Sequence, residues 1–438
     1  MSEHPRSSAL PTPPREASIT DICIIGGGPG GCAAALQLAK HGIRSTLIEK
    51  ATFPRDKVCG DALSGKVMRT LERLDPALAA RVHADGRRMP SWGVTFIAPG
   101  GKALRVPFSR GTGIGEAPGA ILPRLDFDAI LFDAVKRNEY VQVFEGVQAK
   151  SYERTAEGWR ISLVGSHLPT ASANCRLIIA ADGANSHFAR HVAGLPMEPK
   201  HHAAGVRAYF RGIQGLDPQG FIELHFLKEL VPGYLWIFPL PDGRANVGLG
   251  LRSDHVRKRR LDLKGELLRL VSTHPSLKER FANAEVEGSV QGLGLPLASK
   301  RRPLSGDGYL LIGDAGHLID PFTGEGISHA MISGVYAADV ANEALKAGRM
   351  DASFLRPYEE RVWKRLGKEL TISTRLQQLA HQAWLFDFVV ERATKNPALA
   401  DTISSMFTDL DLRERLKKPG FYMDLVLGRG KKRDHKAP

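Results

Sequence analysis

The first residues whose types and spacing could do chemistry lie between Asp21 and Glu49. Gly26, Gly28 and Gly31 stand at the spacing G-x-G-x-x-G, directly after the apolar run Ile22–Ile25. That β-branched run suits a strand buried on both faces. Cys32–Lys40 is small and helix-forming, Gly42 ends the helix, and Ile43–Ile48 reads as a second strand closed by Glu49. Each glycine has a task. Gly26 allows the tight turn, Gly28 lets backbone approach a pyrophosphate without a Cβ in the way, and Gly31 lets the helix pack close to the strand. Free N–H groups and the positive dipole end at the helix start, beside Pro29 and Gly30, attract phosphate. The Glu49 carboxylate, followed by Lys50, can accept hydrogen bonds from ribose hydroxyls. A lone glycine triplet says little in a chain with 45 glycines. Strand, turn, helix, strand and acid in that order make a dinucleotide-binding unit.

The elements around this unit are discontinuous. A loop follows Glu49 and carries Arg55, Lys57, Cys59 and Asp61 before a helix from Val67 to Leu74. Trp92–Val106 reads as a hairpin that starts a separate sheet. The pattern returns to helix after Arg124, with Asp126 as the expected cap and Phe127, Ile130, Leu131 and Val135 on one face. Further strands are expected at Val141–Val147, Trp159–Leu163 and from Cys175, the last ending in Asp182-Gly183. From Ala203 to Gly250 the pattern is strand-rich again, with Tyr234, Trp236 and Phe238 on one face of a strand that Pro239 stops. A buried strand then leads to Gly313-Asp314, Pro321 and Gly324-Glu325-Gly326, where a helix begins. The remainder is helical to about Leu416.

The expected architecture is therefore mixed α/β. A Rossmann-like domain (19–85, 118–195 and 290–345) carries an inserted antiparallel sheet domain (86–117 and 196–289). A tail (1–18) and a C-terminal helical region with a basic end (346–438) flank them.

Composition narrows the function classes. The chain has 438 residues, 43% apolar and 24% charged, which is ordinary for a soluble globular protein. No run approaches the roughly 20 apolar residues of a membrane-spanning helix. The N-terminus lacks an apolar signal core, so a cytoplasmic location is expected. Four cysteines without a C-x-x-C pair fit a reducing compartment and argue against zinc, so no metal is expected. The net charge of +13 is concentrated in part between Arg415 and Lys436, among Phe421, Tyr422, Leu425, Val426 and Leu427. That pattern suits contact with the anionic inner face of a membrane as well as a solvated tail. No helix-turn-helix, zinc-finger or RNA-binding motif supports nucleic acid. Oligomeric state leaves no mark in the sequence.

Three separated motifs line up: Gly26-x-Gly28-x-x-Gly31 with Glu49, Asp182-Gly183, and Gly313-Asp314 with Gly324-x-Gly326-Ile327. Together they resemble the FAD-binding fold of the p-hydroxybenzoate hydroxylase type. The resemblance implies FAD in extended form, Asp314 on its ribityl chain, and a helix N-terminus aimed at the flavin, where a positive dipole end stabilises a reduced ring. Implied cofactor contacts are Gly26, Gly28, Pro29, Gly30, Gly31, Glu49, Lys50, Arg124, Asp182, Gly183, Gly313, Asp314, Gly324, Gly326 and Ile327. Phe53-Pro54-Arg55-Asp56-Lys57-Val58-Cys59-Gly60, Tyr234-x-Trp236-x-Phe238-Pro239 and Gly248-Leu249-Gly250 narrow the match, which is similar to the geranylgeranyl reductase family. Here Asp61 stands where the commoner K-x-C-G-G form has its second glycine. The family reduces C=C bonds in prenyl chains, so Tyr234, Trp236 and Phe238 become candidate substrate contacts. They read equally as plain core. Cys59 becomes a candidate catalytic or tuning thiol, or a small buried side chain.

The same fold hosts monooxygenases, flavin halogenases with a Trp-x-Trp-x-Ile-Pro motif, and prenyl-binding escort proteins. Tyr234 and Phe238 depart from the halogenase motif, and intact Glu49 and Asp314 argue against an escort. Gly111-x-Gly113-x-Gly115 has the wrong spacing for a second dinucleotide site. The electron donor, NAD(P)H or a reduced carrier, is left open.

Overall fold

Four buried residues form β1 (Ile22–Ile25), and α1 (Pro29–Lys40) leads to β2 (Ser45–Glu49), parallel to β1. The computed structural model describes residues 20–108, 117–165 and 168–395. Both ends of the sequence and the Gly111–Gly115 motif lie outside these. The cofactor-side loop passes into α2 (Gly65–Leu74), and a hairpin follows as β3 (Gly93–Ile97) and β4 (Ala103–Pro107). Then come α3 (Arg124–Lys136), β5 (Val141–Glu145), a three-stranded antiparallel sheet within 147–175, and β6 (Leu177–Ala180). The second large sheet is built from β7 (His202–Arg211), β8 (Ile222–His225), β9 (Tyr234–Pro239), β10 (Arg244–Arg252) and β11 (Glu285–Pro296). The chain closes with β12 (Tyr309–Leu311), α4 (Ile327–Ala347), α5 (Pro357–Leu379) and α6 (Ala383–Lys395).

The dinucleotide sheet runs in the order 305–306, β12, β6, β1, β2, β5, and its five long strands are parallel. Covered by helices, its central strands need apolar residues on both faces, which Ile22–Ile25 and Leu177–Ala180 supply. The second sheet has the order β11, β7, β10, β9, β8, β3, β4 and is antiparallel except where β8 joins β3. One of its faces packs on the helix Leu263–Thr273 through Leu235, Ile237, Val247 and Leu249. Its other face, with Trp236 and Phe238, turns toward the dinucleotide side.

Two expectations need correction. Asp126 does not cap α3. The helix starts two residues earlier, at Arg124 behind Pro123, and Asp126 sits in its first turn. A proline at that position already fixes the entry into the helix, so no side-chain cap is required. The boundary placed at 290 falls inside β11, which stays in the second sheet to Pro296. The inserted sheet is closed at one edge by the hairpin from before α3, so it draws on both insertions at once.

Candidate active site

A cavity of about 570 Å3 runs between the two sheets. One wall is the glycine turn, Glu49, Lys50, the Arg55–Gly60 loop, Arg124, Asp182, Gly183, Gly313, Asp314, Gly324, Gly326 and Ile327. The other is Tyr234, Trp236 and Phe238 of β9 with Gly292–Leu295 of β11. The structure thus brings every sequence-nominated residue to one cavity except Gly31. A Cβ at Gly31 would lie 1.9 Å from the Gly26 carbonyl oxygen, so that glycine serves the helix–turn approach.

The first wall is built to receive a dinucleotide. Gly26 has φ +109°, and its Cβ would strike the Ala181 carbonyl at 2.4 Å. At Gly28 the situation is reversed: the nearest atom to a Cβ is an Arg55 guanidinium nitrogen at 3.9 Å. Nothing in the protein forbids a side chain there, so the open space serves a ligand. The two helices that start at the cavity, α1 and α4, have Gly28 and Gly326 at their N-caps and no side-chain cap. Their first N–H groups are left for an anion or an electron-rich ring. By contrast, the helix Pro76–His83 points elsewhere and is capped by Asp75.

Polar atoms complete the cradle. Glu49 accepts from Gly27 N–H through Oε2 and from Ala51 N–H through Oε1, both at 2.7 Å. These bonds fix the carboxylate and leave each oxygen a further lone pair for a hydroxyl. Asp182 Oδ2 accepts from His187 N–H and Phe188 N–H, while its buried Oδ1 has no protein partner. Asp314 Oδ2 accepts from Lys57 Nζ at 3.2 Å. Arg124 and Arg55 both hold Asp128: Arg124 Nε and Nη2 donate at 2.6 and 2.7 Å, Arg55 Nη1 at 2.7 Å. Burial works against the Asp128 anion, but the two guanidinium groups keep its pKa below the usual carboxylate range. Arg55, unassigned in the sequence, is therefore the cation nearest the open space at Gly28.

The second wall is seated from behind. Trp236 lies over Gly248 of β10, where a Cβ would come within 2.2 Å of the indole and 2.3 Å of the Val206 carbonyl. Tyr234 Oη donates to the Thr323 carbonyl at 2.6 Å and joins this wall to the loop before α4. Cys59, half-buried between the walls, sits close enough to Arg124 to help raise its pKa.

Three titratable groups left unassigned in the sequence have defined partners. Glu325, His329 and Glu369 place ligand atoms within 4.8 Å of one another. The buried ammonium of Lys66 already stands among them, bonded to Glu369 and 3.8 Å from Glu325. Burial opposes the Glu325 anion, yet Lys66 and His329 take its pKa down to about 2. His329 Nδ1 bonds the Leu318 carbonyl at 2.7 Å.

This cradle and its facing sheet define an FAD-dependent oxidoreductase. Residues 19–217 match the FAD-binding domain family. The chain is 30% identical to the digeranylgeranylglycerophospholipid reductase of Thermoplasma volcanium, over 80% of this chain and 84% of that protein. It is 29% identical to the menaquinone reductase of Mycobacterium tuberculosis, over 73% and 76% of the two chains. Its fold is that of a geranylgeranyl bacteriochlorophyll reductase-like protein from Thermoplasma acidophilum, with a TM-score of 0.75, 24% identity and coverage of 91% and 98%. The chain belongs to the geranylgeranyl reductase family of FAD-dependent oxidoreductases.

The open space at Gly28 yields a direct test. Gly28→Val places a branched side chain where a pyrophosphate would lie, with its Cβ 3.9 Å from the nearest protein atom. The purified variant should keep its circular dichroism and lose its flavin absorbance. A variant that retains stoichiometric FAD would show that the phosphates do not approach Gly28.

Proposed function

We propose that the protein saturates isolated C=C bonds of a polyprenyl chain carried on a lipid or quinone. One observation carries this reading: a single cavity joins the dinucleotide cradle to the apolar face Tyr234–Trp236–Phe238. The names of the two relatives, a reductase of a digeranylgeranyl lipid and a menaquinone reductase, point to the same substrate class. An unactivated alkene offers no hydrogen bond, so shape and apolar contact must place it. Bound and reduced, FAD supplies a hydride to one alkene carbon. The other carbon takes a proton, so each bond consumes one hydride and one proton, together two electrons and two protons; an external donor restores the hydride and solvent the proton.

The chain's own residues bind and orient in this scheme. Arg55 and the uncapped start of α1 hold the pyrophosphate, Glu49 a ribose, and Asp314 the ribityl chain. The start of α4 faces the flavin. Cys59 tunes the proton-delivering side of the cavity, where Arg124 restrains its loop. The donor is NAD(P)H or a reduced carrier, and a second dinucleotide cradle is not found among the described residues. Oxygenation or halogenation on the same fold is the runner-up. Oxygen consumption coupled to substrate would favour it.

Membrane contact is proposed through two basic features. The tail 415–436 lies outside the described residues. The second feature is Arg257, Lys258 and Arg260, exposed and without a carboxylate partner among the described residues. The ring of His255 meets that of His381 at a tilt, 5.0 Å between centroids, and Trp384, on the helix that follows His381, is 67% exposed. Arg259 donates to the Glu229 and Val231 carbonyls and so anchors the loop whose Phe226 packs against Tyr234. Among the described residues no helix is long and apolar enough to cross a membrane.

Four outcomes test these readings. With chemically reduced enzyme and a geranylgeranyl lipid, mass spectrometry should show additions of two hydrogens per double bond. Trp236→Ala should keep FAD and lose most of this activity. A large fall in melting temperature, from a core loss of ~3–5 kcal/mol, would make Trp236 plain core. In the same assay Cys59→Ser should keep FAD and alter turnover or the distribution of partly reduced products. Unchanged kinetics would remove the thiol from the reaction. On anionic vesicles, where each cation near the surface contributes about 1 kcal/mol, neutralising Arg257, Lys258 and Arg260 should weaken binding by about 100-fold. Binding that is insensitive to these changes and to tail deletion would refute the surface.

A further inference from the structure

Asp61 does not line the cavity, yet it is the hub of the polar network behind it. Its side chain is fully buried, and its backbone has φ +66°. A non-glycine residue pays about 1 kcal/mol or more there, less for Asp than for most. Asp61 Oδ2 accepts from Tyr209 Oη and from Asn246 Nδ2, each at 2.7 Å, and Oδ1 accepts from Arg124 N–H at 3.2 Å. The backbone carbonyl of Asp61 accepts from Leu122 N–H at 3.0 Å. One residue thus bonds to β7, β10 and both sides of the α3 start.

Asn246 carries the network into the cavity. Its Nδ2 also donates to the Cys59 carbonyl at 2.8 Å, and its Oδ1 accepts from Trp236 Nε1 at 2.9 Å. This amide can sit only one way round. Flipped, it would set a donor against the indole N–H and an acceptor against both the Asp61 carboxylate and the Cys59 carbonyl. The Asp61 carboxylate therefore fixes the orientation of Asn246. Asn246 in turn fixes the turn that carries Cys59 and the indole of the opposite wall.

We propose that Asp61 is a positioning residue that clasps the Cys59 turn to Trp236 and so sets the gap between the two walls. The proposal rests on the reading of Trp236 as substrate wall. It makes the ionised carboxylate the working form, because only that form accepts all three bonds.

The groups facing Asp61 are Tyr209 and Arg207 from β7, Arg124 from α3 and Cys59 on its own loop. Arg244 lies over the Tyr209 ring, and Asp56 pairs with Arg207. Burial pushes the Asp61 pKa up to about 6, against the hydrogen bonds of Tyr209 and Asn246 and the charge of Arg207. The folded pKa is thus above the ordinary carboxylate value. Ionisation is disfavoured by folding, and stability from this group rises as pH falls from about 6 toward 4. The clasp, however, is lost over the same interval. Activity and this contribution to stability should therefore move in opposite directions, which a merely structural carboxylate would not produce.

The test compares Asp61→Gly with Asp61→Asn in the FAD-loaded enzyme. Glycine removes the carboxylate and relaxes the backbone, while asparagine keeps an acceptor for Tyr209 and Asn246 but cannot titrate. Asp61→Gly should keep FAD and lower kcat for alkene reduction by about tenfold or more, since small misplacements are costly. Lacking the second acceptor oxygen, as the protonated acid does, Asp61→Asn should hold kcat near the wild-type acid plateau at every pH and so abolish the acid limb near pH 6. A second readout needs no turnover. Cys23, Cys32 and Cys175 are buried, so iodoacetamide labelling reports on Cys59. At neutral pH it should accelerate several-fold in both Asp61→Gly and Asp61→Asn. Wild-type kcat and wild-type labelling in the folded glycine variant would overturn the clasp, as would an unchanged acid limb in Asp61→Asn. If the wild type reduces no prenyl chain, the proposed function fails, and the labelling still decides on the clasp.

Discussion

The site depends on how closely α1 and α4 cross. A Cβ at Gly334 would lie 2.4 Å from the Gly30 carbonyl oxygen, and one at Gly30 would lie 3.0 Å from the Ala330 carbonyl. Ser333 Oγ, one turn further, accepts from Gly313 N–H at 3.0 Å. Only small residues allow this approach, and it brings two uncapped helix starts to the same cavity. Larger side chains would hold the helices apart and turn one dipole off its target. The effect of an oriented helix end fades within about its first turn, so small displacements matter. The glycine turn, the loop before α4 and the strand ending at Gly313 are all positioned by this crossing.

What could be read from the sequence follows from how local each signal is. The dinucleotide unit lies within 30 consecutive residues, and its tight turn, close approach and strand patterns are each a matter of neighbours. The wall Tyr234–Trp236–Phe238 was legible because residues two apart on a strand share a face. The pairings that hold the site were not. Arg55 reaches Asp128 across 73 positions, Asn246 reaches Asp61 across 185, and Lys66 reaches Glu369 across 303. None leaves a period or a spacing in the chain. Asp61 could be singled out as a departure from the family pattern, yet its partners depend on the register of β7 and β10. The helix start at Arg124 was missed because an acidic residue resembling a cap competed with a proline that had already set the turn.

The buried charges behind the α4 loop show the same long-range logic. Lys66 on α2, Glu325 between Gly324 and Gly326, His329 on α4 and Glu369 on α5 meet in one cluster. Buried ion pairs are poor sources of net stability, because desolvating the charges costs nearly as much as their attraction returns. Removing one partner is far more damaging than never having had the pair. A cluster of this kind acts best as a register device. It penalises any packing of α2, α4 and α5 that leaves Glu325 unpaired, and so keeps the loop carrying Gly324 and Gly326 at one position.

The substrate wall uses polarity in a related way. Three of the rings on this face carry a polar atom, and each is bonded to protein: Trp236 to Asn246, Tyr234 to the Thr323 carbonyl, Tyr209 to Asp61. Those bonds hold the rings in place and engage their hydrogen-bonding atoms. The wall therefore presents carbon to a substrate. A hydrocarbon chain loses nothing against such a surface, whereas a ligand that needs a hydrogen bond finds its partners taken and stays better solvated in water. Selection against polar ligands is thus built from polar residues. It also makes the face tolerant of which apolar chain lies on it, because dispersion and fit distinguish one hydrocarbon segment from the next by little.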